Sequence, residues 1–372
     1  MAPKDFFPPA PLDLDWNNIG IKVREVNGHV QCRYNVATGY WSEPEVIKGI
    51  DLTISGLSPA LNYGQQAYEG MKAFRDPQGQ IRIFRPEVHA ARMAHSCEVV
   101  SIPPIPQEHF TRSVALAVSV NAEFVPPFDS SAALYIRPLV FGSGAQINLA
   151  QPEEYTFCVF VIPVTSLLGT KPVDALIMEE FDRTAPMGTG NAKVGGNYAP
   201  VLRWAAKARA RGYGIPLHLD SKTRTEIDEF SAAGFIGIRN DDGETTMVVP
   251  DSSCIIQSVT SDSCVQLARS YGWSVEVRPI KYTELPEFSE VLAVGTAAVL
   301  VPIGSITRDS LKDLIVYQPS EDGGYPCANR LFKSIGEIQR GLGKDVFHWC
   351  VPVHEPSAYF KSLSDLEAAA LA

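Results

Sequence analysis

The stretch Gly188-Thr189-Gly190-Asn191-Ala192-Lys193-Val194-Gly195-Gly196-Asn197-Tyr198 sets a lone lysine between two glycine-rich turns. Glycine opens backbone conformations closed to other residues and lets a bulky group approach the chain closely. A phosphate-cradling P-loop is excluded, because Ala192 precedes the lysine and Val194 follows it where a hydroxyl residue is required. A solvated surface loop is disfavoured too. Tyr198, Val201, Trp204, Ala205 and Ala208 put an apolar stripe on a helix that starts just after the loop and ends at Gly212, so the loop is docked on a packed element.

A chain of 372 residues exceeds one ordinary core, and two domains are expected. Turn chemistry from Thr165 to Pro172 marks the boundary. The expected division is 1–166 as a small α/β domain with a proline-rich N-terminal arm, 167–174 as a linker, and 175–372 as a larger domain. A net charge of −10 without a dense Lys/Arg stripe argues against a nucleic-acid partner. The seven cysteines are scattered and never spaced Cys-x-x-Cys, which suggests neither a disulfide framework nor a metal cluster and points to a reduced, cytoplasmic setting. No basic start followed by an apolar run, and no run of about eighteen apolar residues, indicates a secretion signal or membrane span.

Along the chain, Met71 to Phe74 should pair with Ile81 to Phe84 across an Asp76–Gly79 turn, a hairpin presenting Tyr63 and Tyr68. Pro86 and Glu87 suit the start of a helix over Glu87 to Val100, and a second helix is expected from Glu108 to Phe124. Ala132 to Phe141 reads as a buried strand with Tyr135 and Arg137 on one face, and an arginine in so apolar a strand calls for a partner. Leu217 to Asp220 is expected as a strand. A second strand runs through Ile238 and carries Glu226, Asp228 and Glu229. A helix from Ser261 to Tyr271 follows Ser258-Val259-Thr260, whose hydroxyls and free N–H groups suit an anion.

The run Arg183 to Pro200 resembles the cofactor-lysine segment of the branched-chain amino acid aminotransferases, two-domain α/β enzymes of fold type IV that use pyridoxal 5′-phosphate (PLP). Tyr63-Gly64-Gln65, Tyr68-Glu69-Gly70-Met71-Lys72-Ala73-Phe74, Tyr135-Ile136-Arg137-Pro138, Val259-Thr260 and Gly295-Thr296-Ala297 are similar to further motifs of that family. The resemblance implies that Lys193 bonds PLP and shuttles the proton, that Tyr198 meets the phenolic oxygen, and that Arg92, Val259, Thr260 and Thr296 hold the phosphate. Glu229 is the better match for the carboxylate facing the ring nitrogen, with Glu226 the runner-up. Tyr63, Tyr68, Tyr135, Arg137, Leu149 and Ala297 are the implied substrate contacts, Tyr63 and the Leu149 loop across a homodimer interface. The implied activity exchanges the amino group of an L-branched-chain amino acid with a 2-oxo acid such as 2-oxoglutarate.

Several positions depart from the family pattern. Gly234 replaces the usual asparagine, Ala232 a threonine found in some members, Ser258 and Ser261 the outer residues of the phosphate cup, and Tyr68 a phenylalanine. A buried hydroxyl needs a partner, and Tyr135 is the expected one for Tyr68. Ala298 and Val301 stand where mammalian relatives carry a redox-sensitive Cys-x-x-Cys. The alternatives are a fold type IV transaminase of a specialised biosynthetic pathway acting on another amino acid or amine, and a non-catalytic relative. Retention of Lys193 speaks against the latter.

Overall fold

The computed structural model describes residues 7–165, 171–241, 243–321 and 323–360. The chain divides into two compact units, Met1–Thr165 with Ile338–Ala372, and Ser166–Glu337.

The first unit is built on an all-antiparallel sheet. Its strands are β1 (Gly28–Asn35), β2 (Tyr40–Trp41), β3 (Glu45–Lys48), β4 (Gln66–Tyr68), β5 (Met71–Arg75), β6 (Ile81–Phe84), β7 (Ala132–Gly142) and β8 (Glu154–Thr165). β7 and β8 pair along their whole length, from Ala132↔Thr165 to Gly142↔Tyr155. The helices are α1 (Pro59–Tyr63), α2 (Pro86–Val99) and α3 (Gln107–Ser119). In α3, Phe110, Val114, Ala117 and Val118 are buried at the three-to-four spacing of a core-facing stripe, and Phe110 stacks on Phe157 of β8 with ring centres 5.6 Å apart. The proline-rich arm is docked, because Trp16 and Ile19 pack with Ala132.

The expected β5–β6 hairpin forms, with Phe74 opposite Arg82. It does not present both tyrosines. Tyr63 ends α1, and Tyr68 lies on β4, which pairs with β7 instead. The helix expected to reach Phe124 stops at Ser119 and resumes as a single 3₁₀ turn, Ala122–Phe124. The end of the chain differs from the expected division. Cys350–Pro352 forms a strand antiparallel to β6, Val351 opposite Ile83, so this segment joins the first unit's sheet and not the second unit. Of the expected linker, residues 167–170 lie outside the described residues, as do residues 1–6 of the arm.

In the second unit a mixed sheet holds β9 (Val173–Ile177), β10 (Ile215–Leu219), β11 (Ile227–Phe230), β12 (Gly234–Asp241), β13 (Glu244–Pro250), β14 (Ser274–Arg278), β15 (Glu290–Gly295), β16 (Val299–Arg308) and β17 (Asp313–Val316). Helices α4 (Gly195–Tyr198), α5 (Val201–Ala210), α6 (Val259–Ser270) and α7 (Pro326–Gln339) accompany it. The single strand expected through Glu226 and Ile238 is two. Phe230 N–H donates to the Ala233 carbonyl at 2.9 Å, turning the chain so that β11 pairs with β10 and β12 with β13 and β15. Among the described residues no helix is long and apolar enough to cross a membrane.

Candidate active site

The lysine loop is fixed from three sides. A Cβ on Gly190 would come within 2.7 Å of the Cys254 carbonyl and of Thr184, so only glycine fits there. Asn197 closes the loop, its Nδ2 donating to the carbonyls of Thr189 and Ala192 and its Oδ1 accepting from Thr189 Oγ1. Behind it the expected apolar stripe is split between α4 and α5. Val201 and Ala208 are buried, and Trp204 stacks on Phe181 with ring centres 6.0 Å apart.

Lys193 Nζ donates to the Tyr198 hydroxyl at 3.1 Å and lies 4.9 Å from that ring's centre. Burial alone would raise the Tyr198 phenol, yet the charges of Lys193 and Arg183 bring it below its ordinary value. Glu229 is fully buried on β11. Burial pushes its carboxyl up to about 7, against the pull of Arg183 and Lys193. Glu226 lies just outside β11, half-buried, with its N–H bonded to Asp220 and its backbone bridged to Lys281. The two carboxylates therefore occupy different surroundings, and Glu229 is the one that senses Lys193.

Arg183 is a residue of this site that the sequence reading left without a role. Its side chain is only 1% exposed, and its Nη1 donates to Glu229 Oε1 at 2.5 Å. One residue on, Thr184 Oγ1 donates to Asp228 Oδ2 at 2.6 Å, so two neighbouring pairs clamp this segment to β11. No feature of the sequence around it marked Arg183 as buried, and once buried a guanidinium requires a partner such as Glu229.

At the start of α6, Ser258 caps the helix by accepting from Ser261 N–H at 3.1 Å, and Thr260 is buried. A Cβ on Gly234 would meet Ser261 Oγ at 2.9 Å and Ser258 Cβ at 3.3 Å. Three of the departures from the family pattern, Gly234, Ser258 and Ser261, are thus spatial neighbours. Thr296 and Ala297 lie in the tight turn between β15 and β16, Thr296 half-buried and Ala297 exposed.

The first unit holds the other candidates. Glu69, fully buried, accepts from Arg92 Nε at 2.6 Å and Nη2 at 2.8 Å, and meets His89 Nδ1 at 2.8 Å. Burial opposes the ionisation of Glu69, but Arg92 and His89 hold its carboxyl well below the usual carboxylate range. Arg137 lies over the rings of Tyr68 and Tyr135, at 5.0 and 5.2 Å, and its Nη2 donates to the Tyr135 hydroxyl at 3.0 Å. Arg137 thus contacts both Tyr68 and Tyr135. The Tyr63 hydroxyl donates to the Ile147 carbonyl, and Leu149 on the same loop is 88% exposed.

The second unit's donor set suits PLP. Lys193 would supply an amine for the aldehyde, Tyr198 a partner for the phenolic oxygen, Glu229 a buried carboxylate for the ring nitrogen, and the N–H groups opening α6 a place for phosphate. Among the described residues no cluster of three or more His, Cys, Asp or Glu is placed to hold a metal ion.

A family model for amino-transferase class IV matches residues 66–306. An aminotransferase of Penicillium oxalicum, poxL, is 92% identical over 364 residues, 98% of this chain and all of that protein. A branched-chain amino acid aminotransferase of Glarea lozoyensis, gloG, is 46% identical, covering 94% of this chain and 99% of that one. The branched-chain amino acid aminotransferase structure of Escherichia coli superposes with a TM-score of 0.72 at 22% identity, covering 89% of this chain and all of the other, which fixes the fold.

Proposed function

Because this chain belongs to the class IV aminotransferases, PLP enzymes of fold type IV that act on small amino and oxo acids, we propose that it moves the amino group between an L-branched-chain amino acid and a 2-oxo acid such as 2-oxoglutarate. The Lys193–Tyr198 contact carries this reading. When bound, PLP supplies an electron sink that makes the substrate's Cα proton removable. Lys193 is the group that binds the cofactor and then holds and moves that proton at its Nζ. Tyr198 and Glu229 orient the ring, and Arg92, Val259, Thr260 and Thr296 take the phosphate. Tyr63, Tyr68, Tyr135, Arg137, Leu149 and Ala297 form the substrate contacts.

Support for branched-chain substrates comes from the name of the Glarea lozoyensis relative. Tyr68 supports a second reading, a transaminase of a specialised pathway acting on a more polar amino acid, because it brings a hydroxyl to a wall that phenylalanine would leave apolar. Absorption spectra with and without L-leucine, followed by rates on L-leucine, L-valine, L-glutamate and a larger polar amino acid, separate the two. Preference for the polar substrate, lost in Tyr68→Phe, would remove the branched-chain reading.

A homodimer is part of the proposal. Leu57, Leu61, Tyr63, Ile147 and Leu149 are large apolar side chains exposed on α1, the residues before it and the 143–151 loop, which are joined by Gln146 N–H to Leu57 carbonyl at 2.9 Å. Sedimentation at low concentration tests it, and a fully active monomer would contradict it.

A further inference from the structure

Arg183 belongs to none of the roles above, yet it touches two of the residues that carry them. It sits inside the second unit with contacts on several sides. Nη1 reaches Glu229 Oε1 at 2.5 Å and the Gly190 carbonyl at 3.3 Å, and Nε reaches the Ser231 carbonyl at 3.3 Å. Its guanidinium carbon lies 5.4 Å from the centre of the Tyr198 ring, the ring that Lys193 also faces. A guanidinium keeps its charge at every pH a protein survives, and its planar fork fixes direction as well as charge.

The Gly190 carbonyl ties Arg183 to the lysine loop, the Ser231 carbonyl to the turn after β11, and Glu229 to β11 itself. A single buried charge thereby links the element carrying the amine to the element carrying the carboxylate. The charged and titratable groups around it are Glu229 and Asp228 on β11, Lys193 and Tyr198 beside the loop, and His218 on β10. Burial already raises the Glu229 carboxyl with Arg183 beside it, and without that cation burial and the neighbouring Asp228 would drive it further toward its neutral form. A neutral carboxyl cannot hold a ring nitrogen protonated by ion pairing.

We propose that Arg183 is a positioning residue for the cofactor ring, holding the Glu229 carboxylate and the Tyr198 phenol in one fixed electrostatic frame; this rests on Lys193, Tyr198 and Glu229 being the ring's neighbours. Arg183 acts through those two residues and has no bond-making part in the reaction.

The test compares full-length wild type, Arg183→Met and Arg183→Lys. In the cofactor-free chain, isotope labelling at tyrosine Cζ, with Tyr198→Phe for assignment, follows the Tyr198 phenol against pH. In Arg183→Met the phenol should hold its proton about tenfold more tightly and PLP should bind about tenfold more weakly, with Arg183→Lys recovering most of both. A Tyr198 titration that Arg183→Met leaves in place overturns the proposal, whatever the melting temperature does. Should Arg183→Met not fold, Glu229→Gln serves: it leaves the Arg183 charge uncompensated, so the Tyr198 phenol should lose its proton at lower pH, and an unmoved or raised midpoint overturns the proposal. Failure of the underlying reading shows separately, as cofactor that borohydride still fixes to Lys193→Ala, while the tyrosine titration needs no cofactor.

Discussion

Lys193 Nζ stands 3.1 Å from the Tyr198 hydroxyl, and the phenol is held below its ordinary pKa by the cations around it. The contact joins the residue proposed to carry the cofactor to the one proposed to orient it. Lys193→Ala should abolish borohydride-fixable PLP and transamination together, whereas Tyr198→Phe should keep the covalent link. Loss of one hydrogen bond to a charged group is worth about 1.5–3 kcal/mol, so turnover in Tyr198→Phe should fall about tenfold to a hundredfold. Single-turnover spectra with L-leucine check it.

The Arg183 pairing places Glu229, and not Glu226, against the groups around Lys193. Glu229→Gln should leave PLP bound and reduce transamination by at least about a hundredfold, a figure in the range for a general electrostatic group. Glu226→Gln should stay within about twofold of wild type, since its surroundings are Asp220 and Lys281. The reverse pattern in steady-state rates would show that the carboxylate roles are exchanged.

Much of this site was legible in the sequence. The glycine spacing around Lys193 announced a close approach, and the alternation of Tyr135 and Arg137 set them on one face, where Arg137 does meet Tyr135. The break between β11 and β12 was only weakly marked, because Ser231 and Gly234 flank two alanines and no Pro, Asn or Asp fixes a turn there. The last strand was hidden for another reason. It is three residues long, and its pairing with β6 joins positions far apart in the chain. Partner choice was hidden too: nothing in the order of residues says that Glu69 takes Arg92 or that Glu229 takes Arg183.

Glu69 gives the fold a pH dependence of known sign. Its carboxyl, ordinarily near 4.5, is held well below the usual range in the folded chain, so the folded state releases the proton more readily than the unfolded one. The stabilisation is present above the unfolded value and is lost as pH falls below it. Glu69→Gln should cost about 3 kcal/mol at neutral pH, the scale for breaking a buried pair, and should flatten the acid side of the stability curve. Urea unfolding at pH 7 and about pH 4 measures both. Equal acid slopes in the two proteins would rule out Glu69 as their source.

Gly234, Ser258 and Ser261 should behave as one coupled change. A Cβ at position 234 lies 2.9 Å from Ser261 Oγ, so Gly234→Asn overpacks this corner at a cost of about 1–3 kcal/mol. Ser261→Gly in the same chain removes the closest atom and should return part of that loss. A double-mutant cycle by thermal unfolding reads the coupling of positions 234 and 261 directly, and additive effects would show that these two are independent.

The setting of Arg137 allows a test of its proposed part in substrate binding. Among the described residues it has no ion pair, its Nε is buried without a hydrogen-bond partner, and its charge rests on two tyrosine rings and one hydroxyl. A guanidinium so placed favours an incoming carboxylate, which a 2-oxo dicarboxylic acid such as 2-oxoglutarate presents at its far end and a branched-chain oxo acid does not. If Arg137 reads that far carboxylate, Arg137→Met should raise KM for 2-oxoglutarate by about tenfold to a hundredfold, the span of a lost charge-assisted hydrogen bond, while KM for L-leucine moves by less than about threefold. Arg137→Lys should recover little, because a point charge does not reproduce the fork or its contacts with the rings of Tyr68 and Tyr135. Steady-state kinetics with the amino donor and the oxo acceptor varied separately decide it: an equal rise in both KM values would make Arg137 a brace for the pocket wall and move recognition of the acceptor to another residue.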